Sequence, residues 1–396
     1  MHSFIYHVPT EVVFGTDSEQ KTAEYVKKYG GNRVLVVYGG GSAVRSGLLD
    51  RITEQLKDAG LTVETLGGVK PNPRVELARQ GVKQAIAMDA DFILAIGGGS
   101  VIDTAKAIAH GAANPALDIW HDIWLQPSNL KCSKPVGAVL TIPAAGSETS
   151  DSAVLTDEES GIKRGLNTQL NRPVFAILDP ALAATLPAYQ VACGVTDIMM
   201  HTLDRYFNPV TDNEITDEIA EALLRVVIAN GQSVVRDPED LHAMSEIMWC
   251  GSLSHNGLTG LGGNKDFAPH QFSQALGAMF DKAHGACLAA IWASWARYVY
   301  KTNPARFARY AKRVWDIDET FSTEEAALAG IAATEAYFQS LGMPAGLPAL
   351  VGKQDDQVIE DLAMLCSFQN TRTIGTFQVL DKDDMRAIFA AANERL

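Results

Sequence analysis

The chain has few of the features that direct proteins to membranes, nucleic acids or export. No apolar stretch approaches the roughly 18 residues of a membrane-spanning helix. The start, MHSFIYHVPTEVVFG, lacks the basic, apolar and small-residue regions of a secretory signal. A net charge of −14 argues against broad binding to phosphate backbones. We therefore predict a cytoplasmic protein that acts on small molecules, with neither nucleic acid nor membrane as a partner.

Cysteine is also scarce. The five cysteines are widely spread, and no two have the short spacing of a thiolate metal site or a redox motif. This usage fits a reducing compartment, where most cysteines serve as small buried apolar residues.

The length of 396 residues predicts two domains, because single hydrophobic cores stop growing below that size. Short β-branched runs alternate with amphipathic segments in the first part, with strands expected within 33–42, 61–68, 91–100, 134–143 and 172–180. Helical periodicity replaces this pattern after about residue 182. We predict an α/β dinucleotide-binding domain with a doubly wound, mostly parallel sheet over 1–182, and an all-helical metal and substrate domain over 183–396.

A glycine turn follows one of these apolar strands. Gly97, Gly98 and Gly99 would let a phosphate approach the N-terminus of the next helix. Ser100 is the expected N-cap, and Asp103 could serve either capping or ligand contact. The spacing differs from the common GxGxxG pattern, so a tight strand–helix turn is the alternative interpretation.

A second glycine turn bears on the choice of dinucleotide. NAD-specific sites place a carboxylate against the adenine ribose, yet no Asp or Glu occurs between Val34 and Leu49. The turn instead offers space, a hydroxyl and, in Arg45, a cation for a 2′-phosphate. The turn of Gly39, Gly40, Gly41 and Ser42 could thus accept the 2′-phosphate of NADP, and the sequence favours NADP over NAD as the cofactor.

Four residues of the second half have the types that bind transition metals. Asp197 and His201 are four apart on a helical segment, so they project from one face. His270 and His284 lie downstream, and three imidazoles with one carboxylate suit Fe(II) or Zn(II). From spacing alone, such an Asp–His pair is more often a surface or core hydrogen bond than a metal site.

Taken together, the motifs resemble the iron-containing alcohol dehydrogenase family, especially its NADP-dependent butanol dehydrogenase and aldehyde reductase branch. The resemblance covers essentially the whole chain. It is carried by FGT (14–16), YGGGS, AIGGGSVID, TIPAAGSE, ILDP, CGVTDIMMHTLDRYF, SHNGL, DFAPH, AHGACLA, QSLGMP (339–344) and TIGTF (373–377).

The resemblance implies a role for each matched residue. The four metal ligands fall on Asp197, His201, His270 and His284, with Fe(II) expected and Zn(II) possible. No side chain beyond these ligands is expected to be catalytic. The NADP(H)-contacting positions fall on Gly39, Gly40, Ser42, Asn72, Gly97, Gly98, Gly99, Ser100, Asp103, Thr141, Ala145 and Lys163. For Lys163 a plain surface hairpin is the alternative.

Three positions depart from the family pattern. Gln274-Ala275 stands where His-Glu is usual, Phe267 replaces a tryptophan, and Pro269 replaces a threonine before the third ligand. The missing histidine puts the usual proton path in doubt. The other two changes border the expected substrate pocket.

The resemblance implies reversible hydride transfer between NADP(H) and a primary alcohol–aldehyde pair, in a cleft between the two domains. It also suggests a homodimer, in which the apolar segment from Phe4 to Phe14 could pair across the interface. An NAD-linked zinc glycerol-type dehydrogenase is the first alternative, against which the acid-free turn argues. A dehydroquinate synthase-like lyase would need more basic residues near the metal. A non-catalytic binding protein is favoured only by Gln274.

Overall fold

The computed structural model describes residues 1–210 and 212–395. The chain separates into two units, His7–Thr185 and a second unit made of Met1–Tyr6 with Leu186–Leu396. The fold predicted from the sequence, a parallel sheet followed by helices, is confirmed.

A six-stranded parallel sheet forms the centre of the first unit, in the order β1-β8-β5-β4-β2-β3. Its strands are β1 (Glu11–Phe14), β2 (Arg33–Gly39), β3 (Thr62–Val69), β4 (Phe92–Gly97), β5 (Val136–Leu140) and β8 (Phe175–Leu178). Four of them lie within the segments predicted as strands, and β3 extends one residue beyond its predicted segment, to Val69.

Both faces of the central strands are covered, which explains their uninterrupted apolar sequences. All six residues of β4 are buried. Val34, Val36, Leu94 and Ile96 pack on one face in a core shared with the first and third helices. The helices of this unit are α1 (Thr22–Lys28), α2 (Ser42–Arg45), α3 (Leu48–Asp58), α4 (Val75–Ala87) and α5 (Gly99–Ala113).

The N-terminal strand is shorter than its apolar sequence suggests. Only Glu11–Phe14 pairs in the sheet, because its neighbour β8 offers four residues for the ladder. Phe4, Ile5 and Tyr6 are exposed and lie outside any strand.

An antiparallel hairpin, which contains Lys163, adds a second, two-stranded sheet to this unit, and its strands lie outside the segments predicted as strands. It consists of β6 (Ser152–Asp157) and β7 (Ile162–Asn167). Thr156 makes a bridge to Arg74, which joins the hairpin to the segment after β3.

The second unit is helical, and its described residues after 185 form no strand. Its helices are α6 (Ala188–Tyr206), α7 (Glu214–Arg236), α8 (Leu241–His255), α9 (Ala268–Phe280), α10 (His284–Val299), α11 (Pro304–Trp315), α12 (Thr323–Ser340), α13 (Leu347–Val351), α14 (Asp356–Cys366) and α15 (Lys382–Asn393). Among the described residues, no helix has both the length and the apolar character to cross a membrane.

Helix α6 is the central element of this unit. It packs against α7, α8 and α10, and nearly every residue from Val191 to Tyr206 is buried. Polar side chains on such a helix therefore face protein and must find their partners there.

Candidate functional site

Three histidines of the second unit converge on one carboxylate oxygen, that of Asp197. The Nε2 atoms of His201, His270 and His284 lie 3.5, 3.7 and 3.7 Å from Asp197 Oδ1. The Nε2 atoms of His201 and His270 are 3.2 Å apart. The structure thus brings together all four residues that the sequence analysis named as metal ligands.

Three helices supply these side chains. Asp197 and His201 lie one turn apart on α6, as their spacing predicts. His270 lies in the first turn of α9, where Pro269 costs no hydrogen bond because N–H groups of a first helical turn have no intrahelical partner. His284 is the first residue of α10.

The cluster has the properties of a site built for a cation. Asp197 Oδ1 is buried and has no hydrogen-bond partner in the protein. Burying an unpaired carboxylate oxygen costs free energy, which a bound cation would offset. Three imidazoles with one carboxylate fit Fe(II) or Zn(II), whereas Mg(II) and Ca(II) prefer oxygen ligands.

The buried histidines of the cluster differ in their pKa. Burial, reinforced by neighbouring imidazoles, holds the pKa of His201 well below its usual value. Burial also opposes protonation of His270, yet the carboxylates of Asp204 and Asp197 outweigh it and raise its pKa to about 9. The two rings thus have opposite electrostatic surroundings within one cluster.

A second set of side chains surrounds the ligands, and the sequence analysis missed them. Asp204 Oδ2 lies 2.5 Å from His270 Nδ1, and Ser273 Oγ lies 3.2 Å from His284 Nδ1. The ring of His255 stacks on that of His201 with centroids 4.1 Å apart. Only Asp204 had a signal in the sequence, since it lies seven residues after Asp197 on the same face of a helix.

One of the unusual residues, Phe267, also lies beside the cluster. Phe267 directs its ring edge-on toward His201 and His270 and adopts a left-handed backbone conformation, with φ of 57°. This conformation is strained for a residue with a large side chain. Gln274 is half-buried one turn after His270 on α9.

In the first unit, the residues predicted to contact the dinucleotide lie at the carboxyl ends of the parallel strands. Strands β5, β4, β2 and β3 are consecutive neighbours, and each is followed by one of the predicted segments. The chain passes from β3 across β2 to β4, so β2 and β4 border the topological switch point where such sheets bind ligands. The segments are 141–145, 97–100, 39–42 and Asn72.

The turn after β4 packs tightly against a neighbouring segment, so that Gly98 has no room for a side chain. A Cβ atom at Gly98 would lie 2.9 Å from the Cβ of Ile142. The helix begins at Gly99 with Gly98 as its N-cap, so the prediction that Ser100 is the N-cap is wrong. Helix α5 thus starts two residues earlier than predicted.

Asp103 serves as an anchor between structural elements. Its Oδ1 accepts a hydrogen bond from Ser147 Oγ at 2.6 Å, and its Oδ2 accepts one from the Val154 backbone at 3.0 Å. The fully buried Lys106 donates to the backbone oxygens of Ser147 and Ser152, each at 2.7 Å. Together these bonds fix the loop that follows Ala145.

Asn72 and Lys163, ninety-one positions apart, are in direct contact. Lys163 Nζ donates to Asn72 Oδ1 at 2.9 Å. Asn72 adopts a left-handed conformation, with φ of 56°, which asparagine tolerates better than most residues. The hairpin thus places the ammonium group of Lys163 at the carboxyl end of the sheet, where the glycine turns also lie.

The turn after β2 combines open space with a nearby cation. Nothing lies within 4 Å of a Cβ atom built at Gly40. Gly41 has φ of 139°, and Arg45 Nη1 would lie 2.9 Å from a Cβ atom at that position. A larger residue at Gly41 would therefore both strain the backbone and displace the guanidinium.

Comparison with known proteins gives the same division of the chain. A model of the iron-containing alcohol dehydrogenase family matches residues 9–180. A model of the C-terminal part of the Fe-containing alcohol dehydrogenase family matches residues 191–393.

Individual relatives extend over nearly the full length. The NADH-dependent butanol dehydrogenase A of Clostridium acetobutylicum is 37% identical, over 98% of this chain and 99% of its own. The NADPH-dependent aldehyde reductase YqhD of Escherichia coli is 36% identical, over 91% and 95%. The crystal structure of NADH-dependent butanol dehydrogenase A from Thermotoga maritima superposes with a TM-score of 0.94, at 32% identity and 99% coverage of both chains.

A doubly wound sheet with glycine turns at its carboxyl edge, followed by a helical unit with an Asp-and-three-His cluster, is typical of an oxidoreductase that uses a nicotinamide cofactor and a metal. The chain belongs to the iron-containing alcohol dehydrogenase family. It is an oxidoreductase of the alcohol dehydrogenase and aldehyde reductase type, and a glycerol-type dehydrogenase has less support.

Proposed function

We propose that the chain reduces aldehydes to primary alcohols, reversibly, with NADPH as hydride donor and a divalent metal held by Asp197, His201, His270 and His284. The observation that carries this proposal is the convergence of three Nε2 atoms on the buried, unpartnered Asp197 Oδ1. Ordinary side-chain packing gives no reason for three imidazoles to face one carboxylate oxygen.

Fe(II) is the metal we propose, with Zn(II) as the alternative, because both accept this donor set. When bound, such a metal supplies Lewis acidity, which draws charge from a carbonyl oxygen as hydride arrives at the carbon. The chain contributes a carboxylate that offsets the cation's charge and a buried setting that strengthens electrostatic interactions. Gln274 does not titrate, so the alcohol's proton comes from water or the cofactor's ribose hydroxyls.

The dinucleotide is proposed to bind along the carboxyl edge of the sheet. Its pyrophosphate would lie at the N-terminus of α5, where backbone N–H groups of the first turn have no intrahelical partner. Lys163 would add a positive charge, and Asn72, Thr141 and Ala145 would contact the cofactor. Asp103 acts through Ser147 and Val154 in this proposal, since both of its oxygens accept bonds from these residues.

The choice of NADPH over NADH rests on the turn after β2. The turn has no carboxylate, Gly40 is open and Arg45 is the nearest cation. Relatives of both kinds exist, since the Clostridium protein is named NADH-dependent and the Escherichia protein NADPH-dependent. The proposal of NADPH therefore rests on the local charge of this turn and not on overall similarity.

We further propose that the protein is a cytoplasmic homodimer. All five cysteines are free, as expected in a reducing compartment. Phe4, Ile5 and Tyr6 are exposed before the edge strand β1, and a second copy could cover them.

A steady-state assay of metal-stripped protein, reloaded with Fe(II) or Zn(II), tests the function. We expect butanal to be reduced with NADPH at least tenfold more efficiently than with NADH, and only after a metal is added. His270→Ala should take up less metal and lose activity. Activity of the stripped protein, or of this variant at the wild-type rate, would contradict the metal assignment, and equal rates with both cofactors would contradict the choice of NADPH.

A further inference from the structure

We propose that Asp204 and Ser273 are positioning residues that fix the proton positions of two metal-binding imidazoles and thereby set the metal affinity of the site. The inference rests on the proposed metal centre. Neither side chain is among the four proposed ligands, and each acts through the Nδ1 atom of a histidine.

The contact between Asp204 and His270 determines which nitrogen of His270 carries a proton. Asp204 Oδ2 lies 2.5 Å from His270 Nδ1, and the Asp204 side chain is fully buried. A carboxylate only accepts hydrogen bonds, so Nδ1 carries the proton and donates it. The lone pair of a neutral ring is then on Nε2, which is the atom that faces Asp197 Oδ1.

Ser273 does the same for His284 by a different route. Its hydroxyl donates to the backbone oxygen of His270 at 2.9 Å, which uses its single proton. The oxygen can therefore only accept from His284 Nδ1, 3.2 Å away. His284 then also presents its Nε2 lone pair toward the cluster.

Asp204 is held in place by the same helix that supplies two of the ligands. Asp197, His201 and Asp204 occupy positions i, i+4 and i+7 of α6 and share one face. The Asp204 backbone oxygen accepts a hydrogen bond from Asp266 at 2.8 Å, just before α9 begins. Helix α6 thus carries two ligands and orients a third from another helix.

The two contacts should differ in their effect. Loss of such a partner typically weakens metal binding about 10- to 100-fold. Asp204→Asn should lie near the upper limit, because an amide that turns its NH2 toward Nδ1 favours the tautomer with the proton on Nε2, where it blocks metal binding. Ser273→Ala removes a neutral acceptor, and we expect about a tenfold loss.

Equilibrium titration of the metal-free protein tests the proposal without an activity assay. Zn²⁺ is added against a competing chelator to obtain its Kd, and Co²⁺ absorption reports the coordination geometry. Asp204→Glu keeps a carboxylate and should recover part of the affinity. Asp217→Asn is the matched control, since it removes another buried carboxylate of this unit, one paired with Arg306. It should lower stability and leave the Kd for Zn²⁺ unchanged.

The outcomes separate this inference from the proposed function. If the wild-type protein binds no Zn²⁺, the metal centre itself is wrong. If it binds one ion and Asp204→Asn binds with a Kd within twofold, only the positioning role is wrong. Should that variant not fold, ¹⁵N-histidine NMR of the Zn²⁺-loaded wild type decides. The signal lost in His270→Ala must show a proton on Nδ1, and an unprotonated Nδ1 would overturn the proposal.

Discussion

Gly285 lies directly against the backbone of Cys193, so that α10 and α6 approach each other without an intervening side chain. A Cβ atom at Gly285 would lie 2.7 Å from the Cys193 Cα and closer still to its carbonyl oxygen. Real Cβ atoms essentially never make such contacts with backbone, so glycine is required here. Because His284 precedes Gly285 and Asp197 lies one turn after Cys193, this approach sets the distance between two proposed ligands.

Gly285→Ala should therefore separate the two helices and weaken the metal centre. We expect a destabilisation of about 1–3 kcal/mol, as for other overpacked sites, and at least a tenfold rise in the Kd for Zn²⁺. Gly277→Ala is the matched control in α9, where a Cβ atom would meet only Lys282 O at 3.9 Å. Thermal unfolding and metal titration of both variants measure the effect. If both variants have the same melting temperature and the same Kd for Zn²⁺, the close approach of α10 and α6 does not control the metal affinity of the site.

The turn after β2 offers a test of the cofactor choice by charge alone. Gly40→Asp places a carboxylate in open space, where it would repel a 2′-phosphate and could bond a ribose hydroxyl. We expect kcat/KM for NADPH to fall about 10- to 100-fold, a loss of about 1.4–2.8 kcal/mol, while kcat/KM for NADH stays the same or rises. Gly40→Asn has the same size without charge, so the difference between the variants isolates electrostatics. A parallel fall for both cofactors would mean that the turn does not discriminate between them.

The sheet was predictable because its central strands, β4, β5 and β8, are buried on both faces. An uninterrupted apolar run such as that of β4 is typical of a strand whose two faces are both buried. The hairpin was not, since β7 contains only two apolar residues, Ile162 and Leu166, and pairs only with its neighbour. The extent of β1 was overestimated because pairing is limited by the length of β8, which an isolated apolar segment does not reveal.

The candidate site was predictable only in part. The i, i+4 spacing placed Asp197 and His201 on one face, but their connection to His270 and His284 came from the family resemblance. The contacts of Asp204 with His270 and of His255 with His201 join residues 66 and 54 positions apart. Such pairings depend on how α6, α8 and α9 pack, which local periodicity does not specify.

Lys163 is predicted to contribute to cofactor binding and little to folding. Its ammonium group donates to Asn72 at the carboxyl end of the sheet, where a dinucleotide phosphate would add a further partner. Lys163→Met should raise the KM for NADPH about tenfold and change the melting temperature little. Arg164→Met removes one positive charge from the adjacent position, whose side chain points to the other face of the hairpin. If both variants raise KM equally, the effect is one of overall charge.

The buried His110 should make folding stability depend on pH well away from the metal centre. Asn171 donates its amide protons to the backbone oxygens of Asp151 and Leu166, so its Oδ1 accepts from His110 Nε2, 2.8 Å away. Burial lowers the pKa of the ring to about 4, and it outweighs this hydrogen bond, which favours the protonated form.

Because the folded-state pKa lies below the unfolded value of 6.5, the unfolded chain binds more protons between these values. Stability from this residue is thus complete above pH 6.5 and is lost as the pH falls toward 4, by up to about 3 kcal/mol. His110→Gln removes the titrating group. In urea unfolding, the difference in free energy of unfolding between the wild type and this variant should therefore become smaller as the pH falls through this range. The exposed His242, as His242→Gln, controls for loss of a histidine. If the difference in free energy of unfolding between the wild type and His110→Gln stays constant from pH 7 to pH 4, His110 does not resist protonation in the folded protein.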